Sequence, residues 1–71
     1  MARYFFHIDG TRPHRDEHGE DLLHDEAAWQ AALRVTRDIE DGFQPGNNWR
    51  LEVRDSGALV YLIEITTSRH R

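Results

Sequence analysis

The sequence predicts a small α+β domain, ordered β-β-α-β-β, in which one helix covers one face of a small antiparallel sheet. Three observations predict this class. Apolar and polar residues alternate near the start of the chain and again, twice, near its end, as in strands with one buried face. Between these segments, apolar residues recur at helical spacing. The chain has 71 residues, enough for one domain and too few for two.

The first strand is predicted over residues 3–9. Its alternate positions form one apolar face, made by Tyr4, Phe6 and Ile8. Asp9 and Gly10 follow directly and suit a tight turn, because glycine adopts positive φ at no steric cost. Residues 11–15 then return as a second strand, which Pro13 confines to a sheet edge because proline lacks a backbone N–H.

The helix is predicted to begin at Asp25, whose carboxylate can accept from the free N–H groups of the first turn. It ends before Gly42, which suits a left-handed cap. On a helical wheel, seven residues share the inner face: Ala28, Trp29, Ala32, Leu33, Val35, Thr36 and Ile39. The acidic residues 16–21 before the helix offer nothing to a core, so we expect an exposed loop there.

The last two strands are predicted as a hairpin over residues 49–54 and 59–65, with a turn at residues 55–57. Their inward positions are Trp49, Leu51, Val53, Leu59, Tyr61, Ile63 and Ile65. Because the final strand is apolar on both sides over residues 59–63, we expect it in the centre of the sheet, in the strand order 2-1-4-3. Residues 1–66 form the predicted domain, and residues 67–71 a mobile C-terminal tail.

Composition and charge exclude several classes of protein. The chain carries 13 acidic and nine basic residues, for a net charge of −4, which disfavours binding to nucleic acid. The longest apolar run, residues 58–63, is far below the roughly 20 residues of a spanning helix, so no membrane partner is expected. The start of the chain lacks the apolar core of a signal peptide, and the chain has no cysteine. We therefore expect a cytoplasmic protein.

The face of the sheet opposite the helix is the predicted interaction surface. It has a mixed character and comprises Phe5, His7, Arg50, Glu52, Arg54, Val60, Leu62 and Glu64. In the predicted strand order, Phe5, Val60 and Leu62 meet at its centre inside a charged rim, as in many protein interfaces. Arginines of one copy can then meet glutamates of a two-fold mate. We predict a homodimer or an unidentified protein partner, and an interaction or regulatory role without enzymatic activity; the alternative is a monomer with exposed apolar residues.

An acidic segment rich in histidine gives the alternative function, which is binding of a small ligand or a divalent metal. His14, His18 and His24 lie there with Asp16, and such side chains are common metal ligands. The spacing of four between the first two histidines brings imidazoles together only on a helix, which the neighbouring Pro13 disfavours. We therefore assign no metal and no cofactor, and keep these residues as candidates.

Three further chemistries are weaker. His7 could act as a general base, but the sequence shows no nucleophile or orienting partner at a recognisable spacing, so we assign no catalytic residue. Trp29 and Trp49 could stack on a flat ligand, although both fall on apolar faces that favour the core. Arg50 and Arg54 could contact RNA.

Four short motifs carry a resemblance to a known family. They are Arg-Tyr-Phe-Phe-His-Ile at residues 3–8, Asp-Glu-His-Gly at residues 16–19, Glu-Ala-Ala at residues 26–28, and Trp-Arg-Leu-Glu-Val at residues 49–53, followed by Asp55 and Gly57. Together they resemble a family of short, uncharacterised bacterial proteins that share a domain of unknown function. The opening motif is the most specific. The resemblance implies a single-domain bacterial protein with this order of elements, and no activity or catalytic residue.

Overall fold

The computed structural model describes residues 2–71 and shows four antiparallel strands in one sheet, with one helix on one face. The elements are β1 (Ala2–Gly10), β2 (Glu20–Leu22), α1 (Asp25–Glu40), β3 (Asn48–Asp55) and β4 (Ala58–Thr66). The predicted α+β class and order of elements are confirmed. Met1, the first residue of the predicted domain, lies outside the described residues. Across residues 2–71, no helix is both long enough and apolar enough to span a membrane.

The core lies between α1 and the sheet, on the predicted alternating positions. Leu51 and Val53 are fully buried, and Tyr4 is nearly so. On the helix, Ala28 and Ala32 are also fully buried. Because these side chains are small, they let the helix backbone approach the sheet closely.

Both tryptophans contribute to this packing. The rings of Trp29 and Tyr61 pack with their centroids 5.1 Å apart. Trp49 is buried, and Phe43 packs against it edge to face at 6.4 Å. These contacts favour a role in the core over a platform for a flat ligand.

The strand order is β2-β1-β3-β4, so the predicted order 2-1-4-3 is wrong. β3 pairs antiparallel with both β1 and β4, and β4 therefore runs parallel to β1. With the hairpin in this orientation, β4 beside β1 would form a parallel pair, whereas β3 beside β1 forms an antiparallel one. With β3 in that position every pair is antiparallel, and β4 becomes an edge strand although it is apolar on both sides.

The second strand also differs from the prediction. Residues 11–15 form no strand: they make an isolated bridge between Ile8 and His14, through two backbone hydrogen bonds of 2.8 Å, and the Thr11 N–H donates to the Asn48 carbonyl at 3.1 Å. Pro13 has no N–H with which to extend this ladder. The strand itself, β2, lies at Glu20–Leu22, within and just beyond the segment that we expected to be an exposed loop.

Both ends of α1 are capped by residues other than those predicted. The N-cap is His24, whose Nδ1 accepts from the Ala27 N–H at 3.1 Å. The Asp25 carboxylate instead accepts from the Tyr4 hydroxyl at 2.6 Å. At the other end, the C-cap Asp41 has right-handed backbone angles, and Gly42 does not adopt the predicted positive φ.

A β-bulge in the β3–β4 hairpin reverses the placement of two side chains. The register shifts so that Val53 pairs with Tyr61 and Arg54 pairs with Leu59. Val60 is the extra residue and packs against the core, whereas Leu59 is 48% exposed. The predictions that Val60 lies on the uncovered face and Leu59 under the helix are therefore wrong, because one extra residue interrupts the alternation of a strand.

Candidate interaction surface

The face of the sheet that α1 leaves uncovered has three rows of side chains. The middle row, on β3, is charged and consists of Arg50, Glu52 and Arg54. The β1 row contains Phe5 and His7, and the β4 row contains Leu59, Leu62 and Glu64. The predicted apolar centre of Phe5, Val60 and Leu62 is wrong, since β3 separates β1 from β4 and Val60 turns to the core.

The arginines of the middle row are paired within the chain. Arg54 donates to the Glu52 carboxylate through Nε at 3.2 Å and Nη2 at 2.9 Å, and to the Gly57 carbonyl through Nη1 at 2.8 Å. Arg50 forms an ion pair with Asp9 of β1 at 3.3 Å. Guanidinium groups held in this way are less available to phosphates, so the arrangement disfavours RNA binding by this row.

His7 is held by the segment that follows β1. Its ring stacks on Phe5 with 6.3 Å between centroids, and its Nδ1 accepts from the Asp16 N–H at 3.1 Å. A neutral imidazole whose Nδ1 accepts carries its proton on Nε2. The ring is therefore fixed in one tautomer by a backbone amide, rather than by a carboxylate that would prepare it for general-base catalysis.

Asp16 is a structural residue that the sequence reasoning missed. Its Oδ1 accepts from the N–H groups of His18 and Gly19, both at 3.1 Å, and its Oδ2 accepts from the Phe6 N–H at 3.2 Å. Burial raises the pKa of this carboxyl, but the backbone donors outweigh it, so the pKa lies below its ordinary value of 3.8. The signal for this role was an aspartate three residues before a glycine, which is typical of a turn closed by the side chain.

Two of the four candidate metal ligands are engaged through their side chains. His24 caps α1 and the Asp16 carboxylate is occupied by backbone N–H groups, whereas the His18 contact, from Arg3 Nε at 2.7 Å, is to its backbone carbonyl. In the part of the chain that the structure describes, no three His, Cys, Asp or Glu side chains lie close enough together to hold a metal ion. The structure thus does not bring His14, His18, His24 and Asp16 into one site.

A cleft of about 750 Å³ opens on the uncovered face. The β1 strand and the segment after it contribute His7, His14 and Arg15, while β3 contributes Glu52 and Arg54. The walls carry both signs of charge, and two of the charged groups are bound to each other. His7 and His14 both line this cleft, but His14 pairs with Ile8 in the isolated bridge and also lines a second cavity against α1.

Fold and surface define a small α+β protein with a one-sided core: a helix on one face of a four-stranded antiparallel sheet, and a mixed face left uncovered. A family model described as a domain of unknown function (DUF6894) matches residues 3–66, and the chain belongs to this family. The match runs from β1 to the end of β4, so the family domain coincides with the fold. No curated protein and no solved structure shows a significant match to the chain.

Proposed function

We propose that the protein is a small, non-enzymatic interaction module that binds a second copy of itself through the uncovered side of its sheet. The observation that supports it is a pair of exposed leucines, Leu59 and Leu62, on the outermost strand of that side. The chain also exposes 5260 Å², whereas a folded monomer of 8.4 kDa exposes about 4,600 Å². Its radius of gyration is 12.9 Å, against about 11 Å for a compact chain of this length.

The excess amounts to about 650 Å². Residues 67–71 follow the last strand and, apart from the half-buried Thr67, are exposed, so part of the excess belongs to this tail and not to the uncovered face. A chain this small also gains little stability from its own core, so burying more surface in a dimer would stabilise it.

The β4 side of the uncovered face is the better contact. Leu62 and Leu59 are 44% and 48% exposed and lie on the outermost strand. The β3 row is less suited, because a two-fold axis that stacks the β3 strands of two chains brings like charges together. Glu52 of one chain, for example, then lies against Glu52 of the other. We therefore place the contact on the leucines of β4 instead of the centre of the sheet.

The same surface supports a binding role over a catalytic one. Its arginines are held by Glu52 and Asp9, and the Nδ1 of His7 is occupied by a backbone amide. The location that we propose is the bacterial cytoplasm. A chain without cysteine fits a reducing compartment, and the bacterial assignment rests on the resemblance of the opening motif.

Size-exclusion chromatography with light scattering over a wide concentration range tests the proposal. We expect the mass to rise from one chain to two, and Leu62→Arg to weaken association about tenfold or more, because it places a charge in the contact. Leu23→Arg is the matched control, since Leu23 is 72% exposed and precedes the helix. A mass that stays at 8.4 kDa at the highest concentration, or equal weakening by both variants, contradicts the proposal.

Binding of a small ligand is the second candidate, supported by the cleft that both His7 and His14 line. The mixed charge of its walls suits a small polar anion better than an apolar molecule. Inorganic phosphate that moves the NMR resonances of both histidines together, in a chain that stays monomeric, would favour this function over self-association.

A further inference from the structure

The outer edge of β4 is a long strand edge without a partner. β4 has nine residues and is the last strand of the sheet. Over residues 2–71, no strand and no side chain of the protein bonds to its outward backbone groups. Proteins commonly shield such an edge with proline, lysine or an inward-pointing charge. β4 contains neither proline nor lysine, and its single charged residue is Glu64.

The strand is also well suited to further pairing. Four of its nine residues are β-branched, which favours extended backbone: Val60, Ile63, Ile65 and Thr66. The bulge that could twist the strand away lies near its start, at Leu59 and Val60, and the register beyond it is regular through Thr66. The strand is therefore regular where it is most exposed to another chain.

The outer edge of β1, on the opposite side of the sheet, is covered by other segments of the chain. The outer side of β1 pairs with β2 over Ala2, Arg3 and Tyr4. Further along, the Phe6 N–H bonds to the Asp16 carboxylate, and Ile8 bonds to the return segment through both N–H and C=O. No such cover exists for β4 in the described part of the chain, so its outward backbone groups are open to pairing with another chain.

We propose that two copies join edge to edge, with their β4 strands antiparallel about a two-fold axis at Leu62. The result is one continuous eight-stranded sheet with both helices on the same side. This inference rests on the proposed self-association and specifies its geometry. A centre at Leu62 pairs the two exposed leucines directly and sets Tyr61 of each copy opposite Ile63 of the other, all within the regular part of the strand.

The side chains of β4 are compatible with this pairing. About Leu62, Glu64 faces the bulged residues Leu59 and Val60 of the mate, so the two carboxylates do not meet. Tyr61 lies opposite Ile63 on the helix side, which extends each core across the junction. A centre two residues later would instead place the two Glu64 side chains opposite each other.

Cysteine cross-linking tests this geometry, because the chain has no cysteine of its own. In the proposed pair, the Leu62→Cys variant has its two thiols directly opposite, with Cβ atoms about 4.5–5.5 Å apart. That separation is near the range of a disulfide, so mild oxidation should produce a covalent dimer. Glu52→Cys is the matched control: Glu52 pairs with Leu62 on the same face, and its copies would be three strand spacings, about 14 Å, apart.

The unmodified protein provides the second measurement. Amide hydrogen exchange in β4 should slow about tenfold or more between dilute and concentrated protein, while exchange in β2 stays unchanged. The edge pair is supported if Leu62→Cys cross-links, Glu52→Cys does not, and β4 of the unmodified protein is protected from exchange at high concentration. If Glu52→Cys cross-links, or if the protein is dimeric by light scattering without protection of β4, the edge pair is overturned and self-association stands. A protein that stays monomeric overturns both.

Discussion

The β2 edge and the β4 edge of this sheet offer a direct comparison. On the β2 side, the ladder is interrupted, yet the chain completes it with a carboxylate, a two-bond bridge and a strand of three residues. On the β4 side, a strand of nine residues, regular from Tyr61 to Thr66, faces outward, and nothing in residues 2–71 lies across it. The comparison teaches that an irregular, polar segment can protect an edge better than a long, regular strand, because it leaves no continuous row of backbone groups for another chain.

Asp16→Ala should cause the largest loss on the protected side. Three backbone N–H groups lose a charged acceptor at once, and we expect the free energy of unfolding to fall by about 3 kcal/mol, since bonds to charged groups are worth roughly 1.5–3 kcal/mol each and water replaces part of them. Urea denaturation measures the change. Glu17→Ala, one residue along the same exposed segment, should change the stability by less than about 0.5 kcal/mol. Similar losses in the two variants would show that the carboxylate does not hold this edge.

Gly19→Ala should have the next largest effect. Gly19 has a φ of +72°, and a Cβ there would lie 3.0 Å from the Tyr4 carbonyl oxygen and 3.0 Å from Cε2 of Phe5. Gly46, with a φ of +92° and open space around it, is the matched control for the backbone strain alone. We expect a loss of about 1 kcal/mol for Gly46→Ala and about 2 kcal/mol for Gly19→Ala, measured by thermal unfolding. If the two losses are equal, the loop does not pack tightly on β1.

Acid should weaken the protected edge by a smaller amount. The pKa of Asp16 is lower in the folded protein, so its contribution is present above the ordinary value of 3.8 and is lost as the pH falls through the lower folded value. The stability difference between the wild type and Asp16→Asn should therefore shrink on going from about pH 5 to pH 2. Urea titrations at each pH measure it. A difference that stays constant would mean that the carboxylate gains nothing from its backbone donors.

The helix-facing side of the sheet was predictable because strict alternation requires it. Tyr4, Leu51 and Val53 occupy the buried positions that their spacing indicates. The same logic failed at the bulge, since an extra residue in one strand leaves no mark on apolar periodicity, and Leu59 and Val60 exchanged faces.

The strand order and the role of Asp16 depended on information that local patterns do not carry. An apolar strand is favoured at the centre of a sheet, but here β3 lies beside β1 and β4 lies at the edge, so apolar content alone did not determine the order. The acidity of residues 16–21 indicated a solvated loop, whereas one carboxylate folds back onto the Phe6 N–H. That contact depends on the path of the chain after the turn that follows β1, and a short stretch of sequence does not specify this path.

The bond between Tyr4 and Asp25 gives the molecule an alkaline limit. Its hydrogen bond to Asp25, burial and the charge of that carboxylate together raise the pKa of Tyr4 to about 12. An unfolded tyrosine ionises near 10.0, so the folded state is favoured fully below that pH and loses this advantage as the pH rises towards 12. Once the phenol ionises it repels the carboxylate, and in strong base the start of the helix is released from the first strand.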